Sequence, residues 1–275
     1  MIKTILKILL ERDTVSLGLW IIISLLIFSL VGIMMTPGNP LEIRGEILLP
    51  PSPSHLLGTD DLGRDVFSMI TRGVLTSLAI GLVAAVATTL ISLFIGLIAA
   101  VYRGVVDTVI MRIIDFLLAT PSIVFAMILV AILKPSIWNI VVVLVITSWP
   151  GIARIIRANT LQLLATGYIE AARALGAGTR HIIFRHLIPT SVPVVLATLI
   201  TSVRAAVLLE AGLSFLGLGD PSTISLGTIL FYARRAAALA SGAWWTFVPA
   251  GLLITIIVLA LTMISIGIEQ RYLKR

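Results

Sequence analysis

From Leu17 to Met35 the chain runs nineteen residues without a single charged side chain. About twenty apolar residues are what a helix needs to cross a bilayer's hydrocarbon, and no small soluble core has use for a run that long. Similar stretches recur, and the six expected spans are 17–35, 74–101, 107–133, 137–156, 188–210 and 247–268. Charged residues make up 12% of the chain, against about 25% in soluble domains. The expected fold is therefore all-α, a polytopic membrane helical bundle with about six transmembrane helices. A membrane β-barrel is excluded by pattern, because its strands would alternate in and out over about ten residues each.

Lys3, Lys7 and Arg12 before the first run raise the possibility of a signal peptide. The run exceeds the usual 7–15 residues of such segments and no small-x-small cleavage pattern follows, so an uncleaved first helix is the expectation. The second run, 28 residues, would be about 42 Å long as a helix and must tilt or protrude from a core of about 30 Å. With the N-terminus in the cytoplasm, thirteen lysines and arginines fall on inner segments, six on outer ones, and Arg204 within the fifth span. That bias predicts a cytoplasmic (inner) membrane protein with both termini cytoplasmic. The net charge of +7 is spread over loops as a topology signal rather than gathered as a nucleic-acid surface. There is no cysteine, so thiolate and disulfide chemistry are absent.

Against this apolar background stands "EAARALGAGTRHIIFRHLIP", residues 170–189, in the expected inner loop 157–187. Glu170 to Leu175 are good helix formers, and Glu170 suits the positive end of a helix dipole. Gly176 and Gly178 permit a turn. A second helical piece, about 179–187, would carry Ile182, Ile183, Phe184 and Leu187 on its apolar side. Pro189 is tolerated where the fifth span begins. Spacing alone leaves a plain amphipathic linker as the alternative.

The order Glu170-Ala171-Ala172, three residues, Gly176, twelve residues, Pro189 resembles the EAA loop of binding-protein-dependent ABC importer permeases. The general pattern has Ile where His186 stands, and "RHxxP" is similar to the peptide-transporter branch. "HLLGTDDLGRDVFSMITRG" at 55–73, "VDTVIMRIIDFLLATPS" at 106–122 and "LLEAGLSFLGLG" at 208–219 resemble dipeptide/oligopeptide permeases in the same order along the chain. The last ten residues fit less well. The resemblance implies an ABC type I importer permease fold of the second-permease type. Residues 1–73 would hold the N-terminal segment, first helix and outer loop, and 74–275 the five-helix core. The implied partners are a second homologous permease, two cytoplasmic ABC ATPases, an extracytoplasmic substrate-binding protein and membrane lipid. By the same resemblance Glu170, Ala171, Ala172, Arg173, Gly176, His186 and Pro189 couple transport to the ATPases.

The chain has no GxxxxGK[ST] phosphate cradle: its four lysines, Lys3, Lys7, Lys134 and Lys274, all stand outside such a motif. ATP hydrolysis is thus expected of another polypeptide, and no cofactor or catalytic group is expected here. His55, His181 and His186 are too scattered to form a metal site or a nucleophile triad. Asp60, Asp61, Arg64 and Asp65 read as a capped loop held by internal salt bridges, or as a contact for the binding protein or a gate. Arg112 and Asp115, three apart, can pair on one helix face, and Pro121 is expected to kink its helix. Arg204, within a span, would line the pathway or bridge subunits. Glu210 is expected near the outer interface, where a charge costs little. The alternative from another class is a stand-alone secondary transporter or channel, which would show inverted repeats with broken helices.

Overall fold

The structure, a computed structural model, describes residues 14–273. Lys3, Lys7, Arg12, Lys274 and Arg275, which enter the topology count, lie outside the described residues, as does the Arg271 side chain. The elements are α1 (Thr14–Met35), α2 (Val66–Tyr102), α3 (Gly104–Leu118), α4 (Ser122–Ile132), α5 (Ile137–Leu164), α6 (Gly167–Ala174), α7 (Thr179–Ile182), α8 (Ile188–Leu213), α9 (Leu226–Arg235) and α10 (Val248–Leu273). Wide π turns at Ile183–Leu187 and Ser214–Leu218 continue α8 at both ends. Among the described residues five stretches are long and apolar enough to cross a membrane: α1, α2, α5, Thr179–Leu218 and Trp244–Gln270.

The third expected span, 107–133, is not one helix. At Ala119–Pro121 the chain bends by 88° between α3 and α4. Pro121 has no amide hydrogen to continue the ladder and crowds the preceding residue out of helical geometry, so α3 stops and α4 restarts after it. The second span also differs, because its helix starts at Val66 and not at 74. Asp65 caps it, Oδ1 accepting the Ser68 amide at 2.7 Å. Polar groups in the first turns are satisfied: Thr71 donates to the Ser68 carbonyl, and Arg72 donates to the carbonyls of Thr36 at 2.7 Å and Gly38 at 2.9 Å. The segment between the first two spans is therefore 36–65.

With 37 residues, α2 is about 55 Å long and organises the bundle. In lipid, apolar surface gives helices no reason to associate, and close packing through small residues does that work. A β-carbon on Gly96 would lie 2.8 Å from the Ala153 carbonyl oxygen of α5, and one on Gly81 2.5 Å from Val207 of α8. At one end Val66, Ile70 and Val74 pack with Val207, Leu226 and Ile257, joining α2 to α8, α9 and α10. At the other end Leu97, Leu164, Ile169, Ile182 and Leu187 form a separate cluster. Thr201, midway along α8, shares a 3.0 Å hydroxyl bond with Ser265, and Thr190 and Val194 line one groove with Glu269, so the start of α8 lies beside the end of α10. The start of α1 joins them, since a β-carbon on Gly267 would lie 2.4 Å from Val15. The 165–187 loop, the start of α1 and the end of α10 thus share one end, and segments 36–65 and 219–247 the other.

Candidate functional site

At the loop end, α6 and α7 form the anticipated helix–turn–helix. Ile169, Ile182 and Leu187 are fully or nearly fully buried against the ends of α2 and α5, which fixes the loop to the bundle. Glu170, Ala171, Arg173 and Leu175 are exposed on the opposite side, with Ala172 half-buried. Among the described residues the Glu170 carboxylate has no ion-pair partner. The α6 helix closes through two bonds, from the Ala177 amide to the Ala172 carbonyl at 3.0 Å and from the Gly176 amide to the Arg173 carbonyl at 2.9 Å. This glycine-terminated helix end requires a positive φ, and Gly176 has φ +88°. Nothing lies within 4 Å of a Gly176 β-carbon, so backbone conformation alone calls for glycine there. The His186 ring packs between Tyr168 and His181, with centroids 5.9 and 5.5 Å away. Pro189 falls at the start of α8. Phe184, expected on the apolar side, is 68% exposed because the wide turn at 183–187 rotates it off the buried face.

The arginines of α5 tie α3 down. Arg157 Nε and Nη2 donate to the two oxygens of Asp107, each at 2.5 Å, and Arg154 pairs with Asp115. The expected Arg112–Asp115 pair does not form. Both carboxylates face α5, where two guanidiniums meet them from outside the helix. Sequence reasoning also missed a groove between α5, α8 and the end of α10. Its volume is about 670 Å3, and Ile152, Ile155, Val194, Thr198, Thr201 and Glu269 line it. The threonine spacing along α8 was its only sequence signal, and the Thr198 and Thr201 hydroxyls bond back to their own helix.

At the other end the 36–65 segment is pinned by buried polar groups. Asp60 Oδ2 accepts Arg64 Nε at 2.6 Å, Asp60 Oδ1 accepts the Arg64 amide at 2.8 Å, and both side chains are under 10% exposed. The Arg64 guanidinium lies 4.1 Å over the Tyr232 ring of α9. Asp65, besides capping α2, meets His55 Nδ1 at 2.8 Å. Trp245 Nε1 donates to the Thr59 carbonyl at 3.1 Å. The salt-bridged loop anticipated for Asp60 and Arg64 is what the geometry shows. Asp61 is the exception: burial, and then the neighbouring Asp60 charge, push its carboxyl up from the ordinary aspartate value.

Arg204 and Glu210, six residues apart on α8, take different partners. Arg204 donates to Thr262 of α10 at 3.2 Å. Glu210 departs from expectation, since it is 1% exposed within the bundle. Its Oε1 accepts the Ser214 hydroxyl at 2.8 Å and its Oε2 the Ser77 hydroxyl of α2 at 3.4 Å. Its position is made tolerable by hydroxyl donors, not by water at an interface.

Known proteins resemble the chain along most of its length. Residues 92–275 match the family model described as "Binding-protein-dependent transport system inner membrane component". The oligopeptide transport system permease protein OppC of Bacillus subtilis is 37% identical over 74% of this chain and 66% of its own length. The dipeptide transport system permease protein DppC of the same organism is 32% identical over 92% of this chain and 79% of its own. A putative peptide permease protein of Brucella suis biovar 1 is 36% identical over 81% of this chain and 74% of its own. Among solved structures, an inward-facing form of the MetNI methionine ABC transporter superposes with a TM-score of 0.57 at 22% identity, covering 73% of this chain and 96% of that one. An amino acid ABC transporter chain gives 0.55, also at 22% identity, over 75% and 94%. These two likenesses concern the fold alone. A helical multi-pass bundle of this fold, matched over two thirds of its residues by one family model, belongs to the inner membrane components of binding-protein-dependent transport systems.

Proposed function

We propose that the chain is a permease subunit of an ATP-driven importer of di- or oligopeptides, working with a second permease, two ATPases and a binding protein. The observation that carries the reading is the exposed α6 face. Glu170, Ala171, Arg173 and Leu175 project from a loop whose other side is clamped onto the ends of α2 and α5. A surface so anchored transmits displacement to the bundle, and a carboxylate without an ion pair beside two alanines suits docking into another protein. Under this reading the loop and both termini lie on the cytoplasmic side. ATP-driven closure of the ATPases moves α6, and the pathway switches between inward- and outward-facing. The ATPase must bind the loop differently in the two states, or nucleotide would shift nothing. The groove between α5 and α8 is this chain's share of the pathway wall. The peptide assignment follows the names of the relatives, and selectivity would reside largely in the binding protein.

The test is affinity purification in mild detergent followed by reconstitution. The expected result is a complex with a second permease and P-loop ATPases that takes up labelled dipeptide or oligopeptide only with ATP and a binding protein. A chain recovered alone that transports without ATP would overturn the reading and favour a self-sufficient carrier.

A further inference from the structure

The residues from Thr179 to Leu218 form one helical run of 40 residues, nearly 60 Å long at about 1.5 Å per residue, which leaves helical geometry only at Gly217 (φ +89°) near its far end. It begins at the exposed loop and ends at the start of the outer segment 219–247. At that far end sits Glu210, one of the largest fully buried side chains in the chain. Nothing in coupling, topology or the loop's ion pairs explains a carboxylate there.

Its hydrogen bonds do. The Leu226 amide, in the first turn of α9, donates to Ser77 Oγ at 3.1 Å. Accepting that hydrogen bond, Ser77 directs its own hydroxyl hydrogen toward Glu210 Oε2, while Ser214 donates to Oε1. The sequence amide, hydroxyl, carboxylate therefore runs through α9, α2 and α8 in turn, and each bond polarises the next. A helix N-terminus with its unpaired amides favours negative charge, so α9 is suited to face a carboxylate. Ser225 and Thr228 form a reciprocal capping box that holds this helix start in shape. Backbone contact adds to the link. A β-carbon on Gly227 would lie 2.7 Å from Ala211 Cα and 2.8 Å from the Ala211 carbonyl oxygen, so α9 lies directly on α8. Asp220 Oδ2 accepts the Ile137 amide at 3.2 Å, which fastens the connecting segment to the start of α5. Glu210, Ser214, Asp220, Ser225 and Thr228 border a cavity of about 10 Å3, room for one water at most, so solvent cannot replace these bonds.

We infer that Glu210 is a positioning residue for transport: it makes the outer segment, α9 included, move as one piece with this helical run, delivering displacement of α6 to the opposite face. This inference rests on the ATPase-coupled reading above. The chain contains no cysteine, so single labels report without background from this subunit. Leu175 of the loop is 89% exposed and Leu239, just beyond α9, is 80% exposed. Leu175→Cys and Leu239→Cys would each carry an environment-sensitive fluorophore in the fully assembled importer, reconstituted in nanodiscs and trapped with ATP and vanadate.

Both positions are expected to respond to trapping in the otherwise native chain. Added to these, Glu210→Ala should keep the response at 175 and reduce that at 239 at least five-fold. Glu210→Gln, which retains an acceptor for Ser214, should keep more than half of it. A merely structural role would instead lower both responses together, and that outcome overturns the proposal. So does a response at 239 that survives Glu210→Ala, or a native chain that responds at 175 and not at 239. Should Glu210→Ala fail to assemble, Ser77→Ala must give the same selective loss, and a retained response at 239 overturns the proposal. Silence at 175 in every chain overturns the coupling reading itself, and this inference with it.

Discussion

Arg157 grips Asp107 through two parallel bonds of 2.5 Å, fastening the first turn of α3 to α5 seven residues before that helix ends. The pair is partly sheltered, with side-chain exposures of 25% and 18%. Paired guanidinium bonds of this geometry are stronger than neutral ones and fix direction as well as distance. Asp107→Ala and Arg157→Ala are each expected to cost about 1–2 kcal/mol, discounted for exposure. The double variant should cost less than the sum, leaving a coupling energy of about 1 kcal/mol. Unfolding of the purified chain in detergent, read as a double-mutant cycle, checks this, and strict additivity would show the pair to be idle.

Gly176 answers to a different constraint. Its β-carbon position is open, but any side chain at φ +88° pays about 1–2 kcal/mol for the left-handed conformation. Gly176→Asp should insert normally and leave α6 misdirected, so that ATP hydrolysis and uptake come apart. Glu170→Lys should produce the same uncoupling by reversing the exposed charge. Parallel assays of hydrolysis and uptake in vesicles decide, and normal uptake by both variants would refute the role.

Asp60 and Arg64 form the most deeply buried ion pair among the described residues. Removing one partner strands the other charge, at a cost of about 3–5 kcal/mol. Asp60→Ala should release the 36–65 segment and expose it to protease, whereas cleavage no faster than in the native chain would contradict this.

Asp61 predicts a pH dependence. Burial raises its carboxyl, so the folded chain holds that proton at pH values where the unfolded chain has released it. Stability contributed at this position therefore falls as pH rises from the ordinary aspartate value of about 3.9 through the raised one. Asp61→Asn should melt higher than the native chain at neutral pH, and the two should converge below the ordinary value. Melting curves across that range in detergent provide the check, with a constant difference as the contrary outcome.

Two glycines separate close packing from open space. Gly96→Leu forces α2 away from the α5 backbone and should cost about 3 kcal/mol, at the upper end for overpacking. Gly151 has nothing within 4 Å of its β-carbon, so Gly151→Ala should be neutral or stabilise by up to about 1 kcal/mol. Equal thermal losses from both substitutions would contradict the crossing geometry.

Hydropathy made the bundle legible, since unbroken apolar runs such as 17–35 have few other uses. Helix punctuation was less visible. The start of α2 hides behind Ser68, Thr71 and Arg72, whose polarity reads as loop until Thr36 and Gly38 are seen to accept from Arg72. Pro121 signalled a kink but not its 88° magnitude, nor the ion pairs from α5 that meet α3 on the other side of the break. The Arg112–Asp115 expectation failed because residues three apart compete with partners from other helices, which spacing cannot reveal. Gly176 was readable, since glycine after a short helix has a direct conformational reason. Glu210 was misread because its hydroxyl partner Ser77 is 133 residues away.

The break at Ala119–Pro121 leaves the bundle with one shallow side. With 11 residues, α4 rises about 16 Å, roughly half of a hydrocarbon layer about 30 Å deep. Below it the chain veers sideways as α3, whose Val105, Val109 and Phe116 are bare. The barrier is thus of uneven thickness around its circumference, and on this flank some other apolar material must complete the seal against ions.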